Sequence, residues 1–270
     1  MLDRLDARSR VLDLGSGGGS FPVVRRDLCV VRLDRQMPQS RGAGCYVIAD
    51  AARLPFPSRT FDVIISNHSL EHFVELEETV REVGRVVKPD GVLYVAVPDA
   101  TTLTDRIYRW MGRGGGHVNP FRSPDEVAGL IQRLTGLEHR STCVLYSSLS
   151  FLNAHNFVAP PPRKIALFAF GNEWFLAVFT GILRLLDRVL GTRLSRYGWS
   201  FHFGHIDAPA SQEAWINVCV RCGSGHPEAF LRKRGAVRKA LGVLATYRCP
   251  TCGGFNLLTR ERQSGSVLRA

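Results

Sequence analysis

Over the first 140 positions, apolar residues fall into short runs separated by amphipathic stretches. The runs at 11–14, 29–33, 46–48, 63–66 and 92–97 are each bounded by turn residues and predict buried strands. Between them, 76–87 carries apolar residues at helical spacing and stops at Lys88-Pro89-Asp90-Gly91. A second helix is predicted over 123–134. Ser123 suits its N-cap, Pro124 the first helical position, and Glu126 completes a capping box. Strands alternating with helices predict an α/β fold, a Rossmann-like, doubly wound and mostly parallel seven-stranded sheet covered on both faces.

Beyond residue 140 the rhythm changes. A further strand is expected over 141–147, then a stiff break at Pro160-Pro161-Pro162. The apolar run 165–183 between basic flanks has nearly the length of a membrane span. Glu173 at its centre costs about 2.5–3.5 kcal/mol on insertion scales and argues against spanning. The better parse takes Asn172 as N-cap of a helix over 173–190 ended by Gly191. That helix serves as a core or dimer-interface element, or as a lid facing an apolar substrate or a membrane surface. The aromatic segment 196–204 follows, and 215–220 is read as the last core strand. His202 and His205, flanking the aromatic segment, are substrate-contact candidates.

Charge divides the chain in the same place. Residues 1–140 hold 19 Lys and Arg against 18 Asp and Glu, whereas 141–270 hold 16 against 6, a net of +10. A basic half suits RNA, a phosphorylated glycan or a membrane surface, through residues 184–248, or serves solubility alone. The charged amino terminus does not read as a secretory signal. The cysteine usage fits a reducing compartment, so the chain is expected in the cytoplasm, with the membrane periphery as an alternative.

The densest chemistry lies at the ends of the early strands. Asp13, Gly15, Ser16, Gly17 and Gly19 follow the first strand in a D-x-G-x-G-x-G pattern. Glycines there let the backbone turn tightly and approach a ligand. Alone, such a turn fits a dinucleotide equally well. Asp34 ends the second strand and can accept from two ribose hydroxyls. Asp50 ends the third and can accept from an adenine amino group, with Ala51 leaving room for the ring. Asn67 ends the fourth. In open α/β sheets ligands bind beyond these carboxyl ends, so the four segments converge.

With Leu54-Pro55-Phe56, Phe61-Asp62, Leu70-Glu71-His72 and Lys88-Pro89-Asp90-Gly91, this series resembles the class I S-adenosylmethionine-dependent methyltransferases of the Leu-Glu-His group. The likeness covers about residues 10–140. It implies S-adenosylmethionine as methyl donor, held by Asp13, Gly15, Ser16, Gly17, Gly19, Asp34, Asp50, Ala51 and Asn67. Asp13 has a second reading, as a cap of the glycine loop. His117 is the catalytic candidate for general base or substrate contact, His68 at the fourth-strand exit is the candidate for contact to cofactor or acceptor, and Glu71 and His72 are read as mainly structural. Relatives usually carry one or two helices before the first strand. Here ten residues precede it, so the insertion is expected to cover the donor.

Cys219-Val220-Arg221-Cys222 and Cys249-Pro250-Thr251-Cys252 form two C-x₂-C pairs, each followed by glycine. Four thiolates predict a closed, structural Zn²⁺ site. The expected organisation is a methyltransferase core at 1–147, a helical insertion at 148–214, the last core strand with the zinc module at 215–256, and a tail at 257–270. The acceptor is expected to be a lipid-linked or cell-envelope glycan intermediate. The alternatives are an RNA or protein acceptor docked through a basic zinc ribbon, and a non-catalytic protein that binds the donor.

Overall fold

A computed structural model of the chain describes residues 2, 5–21, 23, 25–39, 41–111, 116–156, 172–205, 216–240 and 244–259. The proline break at 160–162, the first part of the apolar run and the tail beyond 259 lie outside the described residues. The chain forms two compact units. One comprises Met1–Ala100, Gly116–Cys143 and Gly198–Gln212; the other comprises Thr101–Gly115, Val144–Tyr197 and Glu213–Ala270.

The first unit is built on a Rossmann-like sheet. Its strands are β1 (Arg10–Leu14), β2 (Cys29–Asp34), β3 (Cys45–Ile48), β4 (Phe61–Asn67), β5 (Val87–Pro98), β6 (His139–Tyr146) and β7 (Arg196–Gly204), in the order β3-β2-β1-β4-β5-β7-β6. Parallel pairing joins β1 to β2 and β4, β2 to β3, and β4 to β5. Strand β7 runs antiparallel to β5, with Val95 opposite Phe201 and Pro98 opposite Gly198. Val11, Leu12 and Leu14 are fully buried, as a central parallel strand covered on both faces requires. Helix α1 (Leu76–Val86) packs with α3 (Pro124–Thr135). Ser123 caps α3 by accepting from the Glu126 amide, and Gly136 ends it with φ +72°. The order reverses beside β1, which places the carboxyl ends of β1, β2, β3 and β4 around one crevice.

The last core strand is not at 215–220. It is β7, the aromatic segment, which lies between β5 and β6. Trp199, Phe201 and Phe203 alternate with Ser200 and His202, and all five are buried. A strand covered on both faces accounts for the aromatic density that a substrate-lining segment would also show. The connection between β6 and β7 therefore occupies residues 147–195. In place of the expected strand, the short strand β8 (Asn217–Val218) pairs antiparallel with β9 (Gly225–His226). Trp215 lies outside the described residues. His202, read from the sequence as a substrate-contact candidate, is 9% exposed in this strand, lies near Ser141 Oγ at 3.2 Å, and packs edge-on against Tyr94.

The second unit contains α2 (Leu103–Met111), α4 (Glu173–Leu190), α5 (Glu228–Lys233), and a small sheet of β10 (Val237–Ala240), β11 (Leu244–Arg248) and β12 (Phe255–Leu257). Asn172 Oδ1 accepts from the Trp174 amide at 2.8 Å, and Gly191 takes a left-handed φ of +66°, so both ends of α4 follow from local chemistry. Its buried face carries Leu176, Ala177, Thr180 and Leu183. Its other face exposes Trp174, Val178, Ile182, Leu185 and Val189 in one continuous stripe. Among the described residues, no helix is long and apolar enough to cross a membrane.

Candidate active site and metal centre

The glycine turn after β1 is held from below. Asp13 is completely buried, and its Oδ2 accepts from Arg32 Nη1 at 2.5 Å and from the Ser20 amide at 3.0 Å. Arg32 is 1% exposed; it also donates to the carbonyls of Ala43 and Phe21, both at 2.8 Å. Burial raises the Asp13 pKa, while the Ser20 hydrogen bond and Arg32 oppose the rise. Asp13 therefore braces the turn. Gly19 belongs to the same brace, because with φ +121° a Cβ there would stand 2.3 Å from Arg32 Nη1. Ser16 is buried, and its amide donates to the Leu33 carbonyl at 3.0 Å.

Above the brace the turn opens. Among the described residues, chain neighbours aside, nothing lies within 4 Å of where a Gly17 Cβ would be, so this backbone faces open space. The Gly17 amide donates to Asp34 Oδ2 at 2.8 Å, which ties the ends of β1 and β2 together. The Gln36 amide approaches Asp34 Oδ1 at 3.3 Å. Each carboxylate oxygen keeps a lone pair for a hydroxyl donor. Gly15 has φ +66°, and a Cβ there would lie 2.5 Å from Ser69 Cβ, so only glycine fits between the turn and the exit of β4. Ser69 Oγ fixes that exit by donating to the Leu14 carbonyl at 2.9 Å.

Asp50 stands at the end of β3. Its Oδ1 accepts from the Ala52 amide at 3.0 Å and its Oδ2 from Arg35 Nη2 at 3.2 Å. Ala51 beside it is buried. Arg35, Asp50, Phe73, Val74, Glu75 and Thr79 line a cavity here. Sequence reasoning missed Arg35 and Phe73. An incoming amino group at Asp50 shares Oδ2 with Arg35 or displaces it, and the Arg35 side chain is 65% exposed, so displacement is easy.

At the end of β4, Asn67 is half-buried and His68 follows with φ +55°. Desolvation, then the charges of His117 and His72, push the His68 pKa down to about 4. It is neutral at pH 7, although 28% of its side chain remains accessible. A base this weak is poorly matched to proton abstraction near neutrality. His68 Nδ1 lies 3.9 Å from Glu71 Oε1, and the rings of His72 and His117 meet edge to face with centroids 4.9 Å apart. The two sequence-predicted histidines thus belong to one cluster with Glu71 and His72. The cluster is held by the loop around Asn119, whose Nδ2 donates to the carbonyls of Leu70 and Phe73 at 2.9 and 2.7 Å.

Residues 12–95 match the methyltransferase domain. The match covers the glycine turn, Asp34, Asp50, Asn67, His68 and the Leu70-Glu71-His72 turn, and ends before His117. The bifunctional biotin biosynthesis protein BioHC of Cellvibrio japonicus is 30% identical over 181 residues, 58% of this chain and 36% of that protein. A ubiquinone biosynthesis O-methyltransferase of Rhizobium rhizogenes is 28% identical over 141 residues, 44% of this chain and 56% of that protein. The chain thus spans between about a third and somewhat more than half of these relatives. Among solved structures, the YcgJ protein of Bacillus subtilis aligns with a TM-score of 0.45 at 18% identity, over 75% of this chain and 94% of that one.

In the second unit the four cysteines converge. Cys219 and Cys252 Sγ are 3.7 Å apart, as are Cys222 and Cys249 Sγ. Four thiolates around zinc at about 2.3 Å in a tetrahedron stand about 3.8 Å from one another. The two knuckles repeat each other: the Gly223 amide donates to the Cys219 carbonyl at 2.9 Å, and the Gly253 amide to the Cys249 carbonyl at 2.8 Å. Both glycines have φ near +74°. Arg221 N and Asn256 Nδ2 each approach Cys219 Sγ at 3.4 Å.

Proposed function

We propose that the chain is an S-adenosylmethionine-dependent methyltransferase whose structural zinc is held by Cys219, Cys222, Cys249 and Cys252. The observation that carries the reading is the Asp34 carboxylate, drawn to the glycine turn by the Gly17 amide and free to accept from a ribose diol. Gly17 leaves space for the donor, and Asp50 with Ala51 and Phe73 supplies the adenine end. The donor contributes a methyl group already activated by its sulfonium. What the chain contributes is position and exclusion of water. A proton must leave only if the acceptor carries one.

The zinc reading is supported by the sulfur spacing and by the N–H groups aimed at Cys219. For the acceptor, the exposed apolar stripe of α4 and the net charge of +10 over 141–270 favour a lipid-linked, anionic intermediate handled at a membrane surface. The exposed Arg232, Lys233, Arg234 and Arg238 keep an RNA acceptor as the competing reading.

Isothermal titration with S-adenosylmethionine tests the donor site. Saturable binding, weakened at least tenfold in Asp34→Ala, is expected, and no binding by the native chain overturns the proposal. Transfer of labelled methyl into a lipid extract rather than into RNA is the expected acceptor result. Label in RNA, lost on charge reversal at Arg232, Lys233 and Arg234, favours the competing reading.

A further inference from the structure

Beside the donor crevice, Glu71, His72 and His117 bring one carboxylate oxygen and two ring nitrogens within 4.8 Å of one another. We propose that these three side chains bind a first-row divalent metal ion, separate from the tetrathiolate centre, which receives an oxygen of the methyl acceptor. Two imidazoles and one carboxylate are a recurrent donor set for such ions, and three protein ligands leave positions open for substrate.

The surroundings are those of a built site. His72 Nδ1 lies 2.9 Å from the Gly116 carbonyl. That contact fixes the tautomer with the proton on Nδ1 and leaves Nε2 as the free donor, the usual outer partner of a metal-binding imidazole. Gly116 has φ +71°, and a Cβ there would stand 3.4 Å from that same Nδ1. Next to His117, the amides of Val118 and Asn119 donate to the Glu71 carbonyl at 2.8 and 3.1 Å. The Asn119 side chain then clamps the loop to both ends of the Leu70-Glu71-His72 turn. Two segments more than 40 residues apart are thereby locked in register with their donors facing each other. Ligand atoms around such an ion stand about 3–3.4 Å apart. His72 keeps its contact to Gly116, so the remaining distance has to be closed by a shift of the half-buried His117 as the ion binds. Glu71 is 1% exposed and supplies the fixed anionic corner.

The role of the ion rests on the methyltransferase reading; the site itself does not. An acceptor hydroxyl whose oxygen completes the coordination loses its proton to solvent more readily. Its lone pair then forms the C–O bond as the donor C–S bond breaks, and the sulfonium becomes a thioether. The acceptor class that fits is therefore an oxygen nucleophile, with no strong protein base required.

Mn²⁺ is the probe, because thiolates select zinc while carboxylate and imidazole sites accept manganese. The zinc-loaded full chain is titrated with Mn²⁺, and free Mn²⁺ is read by its paramagnetic resonance signal. One ion retained per chain is expected, with affinity at least tenfold weaker in His117→Ala, in His72→Ala and in Glu71→Gln. Glu71 is buried, so circular dichroism checks the fold of that variant, and the two histidine variants carry the test if it fails to fold. No retention by the native chain, or unchanged affinity in both histidine variants, overturns the site. S-adenosylmethionine is titrated in parallel. A chain that takes the donor but no Mn²⁺ overturns the metal site alone. One that holds Mn²⁺ but not the donor supports the site and overturns the methyltransferase reading.

Discussion

Replacing Asp13 by asparagine separates the two roles open to this residue, contact to the donor and brace beneath the turn. Asp13 and Arg32 are 0% and 1% exposed and meet at 2.5 Å. Removing one partner of a buried pair costs about 3–5 kcal/mol, because the other charge stays behind uncompensated. Arg32 cannot shed its proton, and its two carbonyl partners cannot neutralise it. Against a typical total stability of about 5–15 kcal/mol, this loss is large. With a urea slope of about 3 kcal/mol/M, the unfolding midpoint falls by about 1 M or more. Arg32→Met should cost a similar amount. The double variant Asp13→Asn/Arg32→Met should lose less than the two singles together, since no isolated charge remains. Urea unfolding of the four proteins and donor titration on each give the answer. A contact role has the opposite signature: an unchanged midpoint in Asp13→Asn with donor affinity abolished. That result, or strict additivity of the two singles, refutes the brace.

Gly15→Ala places a Cβ 2.5 Å from Ser69 Cβ at φ +66°. The left-handed backbone alone costs about 1–2 kcal/mol, and donor affinity measured by titration should fall at least tenfold. Stripping zinc with a strong chelator should unfold the cysteine module, since a structural zinc contributes on the order of 10 kcal/mol of folding energy. Hydrogen exchange should lose protection over 217–258 and keep it in β1 and β4; protection retained in a zinc-free protein would sink the assignment. His202 is buried, and desolvation lowers its pKa below 6.5. Below that pH the unfolded chain binds a proton that the native chain refuses, so stability should decline as pH falls through 6.5. His202→Gln should remove that part of the decline, read from urea midpoints at pH 7.5 and 5.5.

The parts of the fold that were legible in the sequence are those whose signal is local. The strand at 11–14 is apolar at every position but Asp13 because the sheet covers both its faces. Helix α4 carries its N-cap at Asn172 and its stop at Gly191 within its own few residues. Strand β7 failed that test. Its Trp199, Phe201 and Phe203 pattern is a period-two strand signal, but its neighbours β5 and β6 are set by pairings with distant segments. Nothing near 196–204 names them. The site divides in the same way. The acidic strand ends at Asp34 and Asp50 were readable because each follows an apolar run. Arg35 and Phe73 were not, because the cavity they line exists only once the strand order is known.

Arg32 is the exception that carried an unread signal. An arginine within Cys29-Val30-Val31-Arg32-Leu33 cannot stay charged inside an apolar strand without a partner at the same depth. Strands β1 and β2 are parallel neighbours, and their register sets Asp13 directly beside Arg32. Residues in register on adjacent strands point to the same face. A lone carboxylate in one apolar run and a lone guanidinium in the next thus predict each other, once the two runs are taken as adjacent strands. The charge in β2 already required Asp13 to face inward, and a carboxylate committed to a buried arginine is a support for the glycine turn.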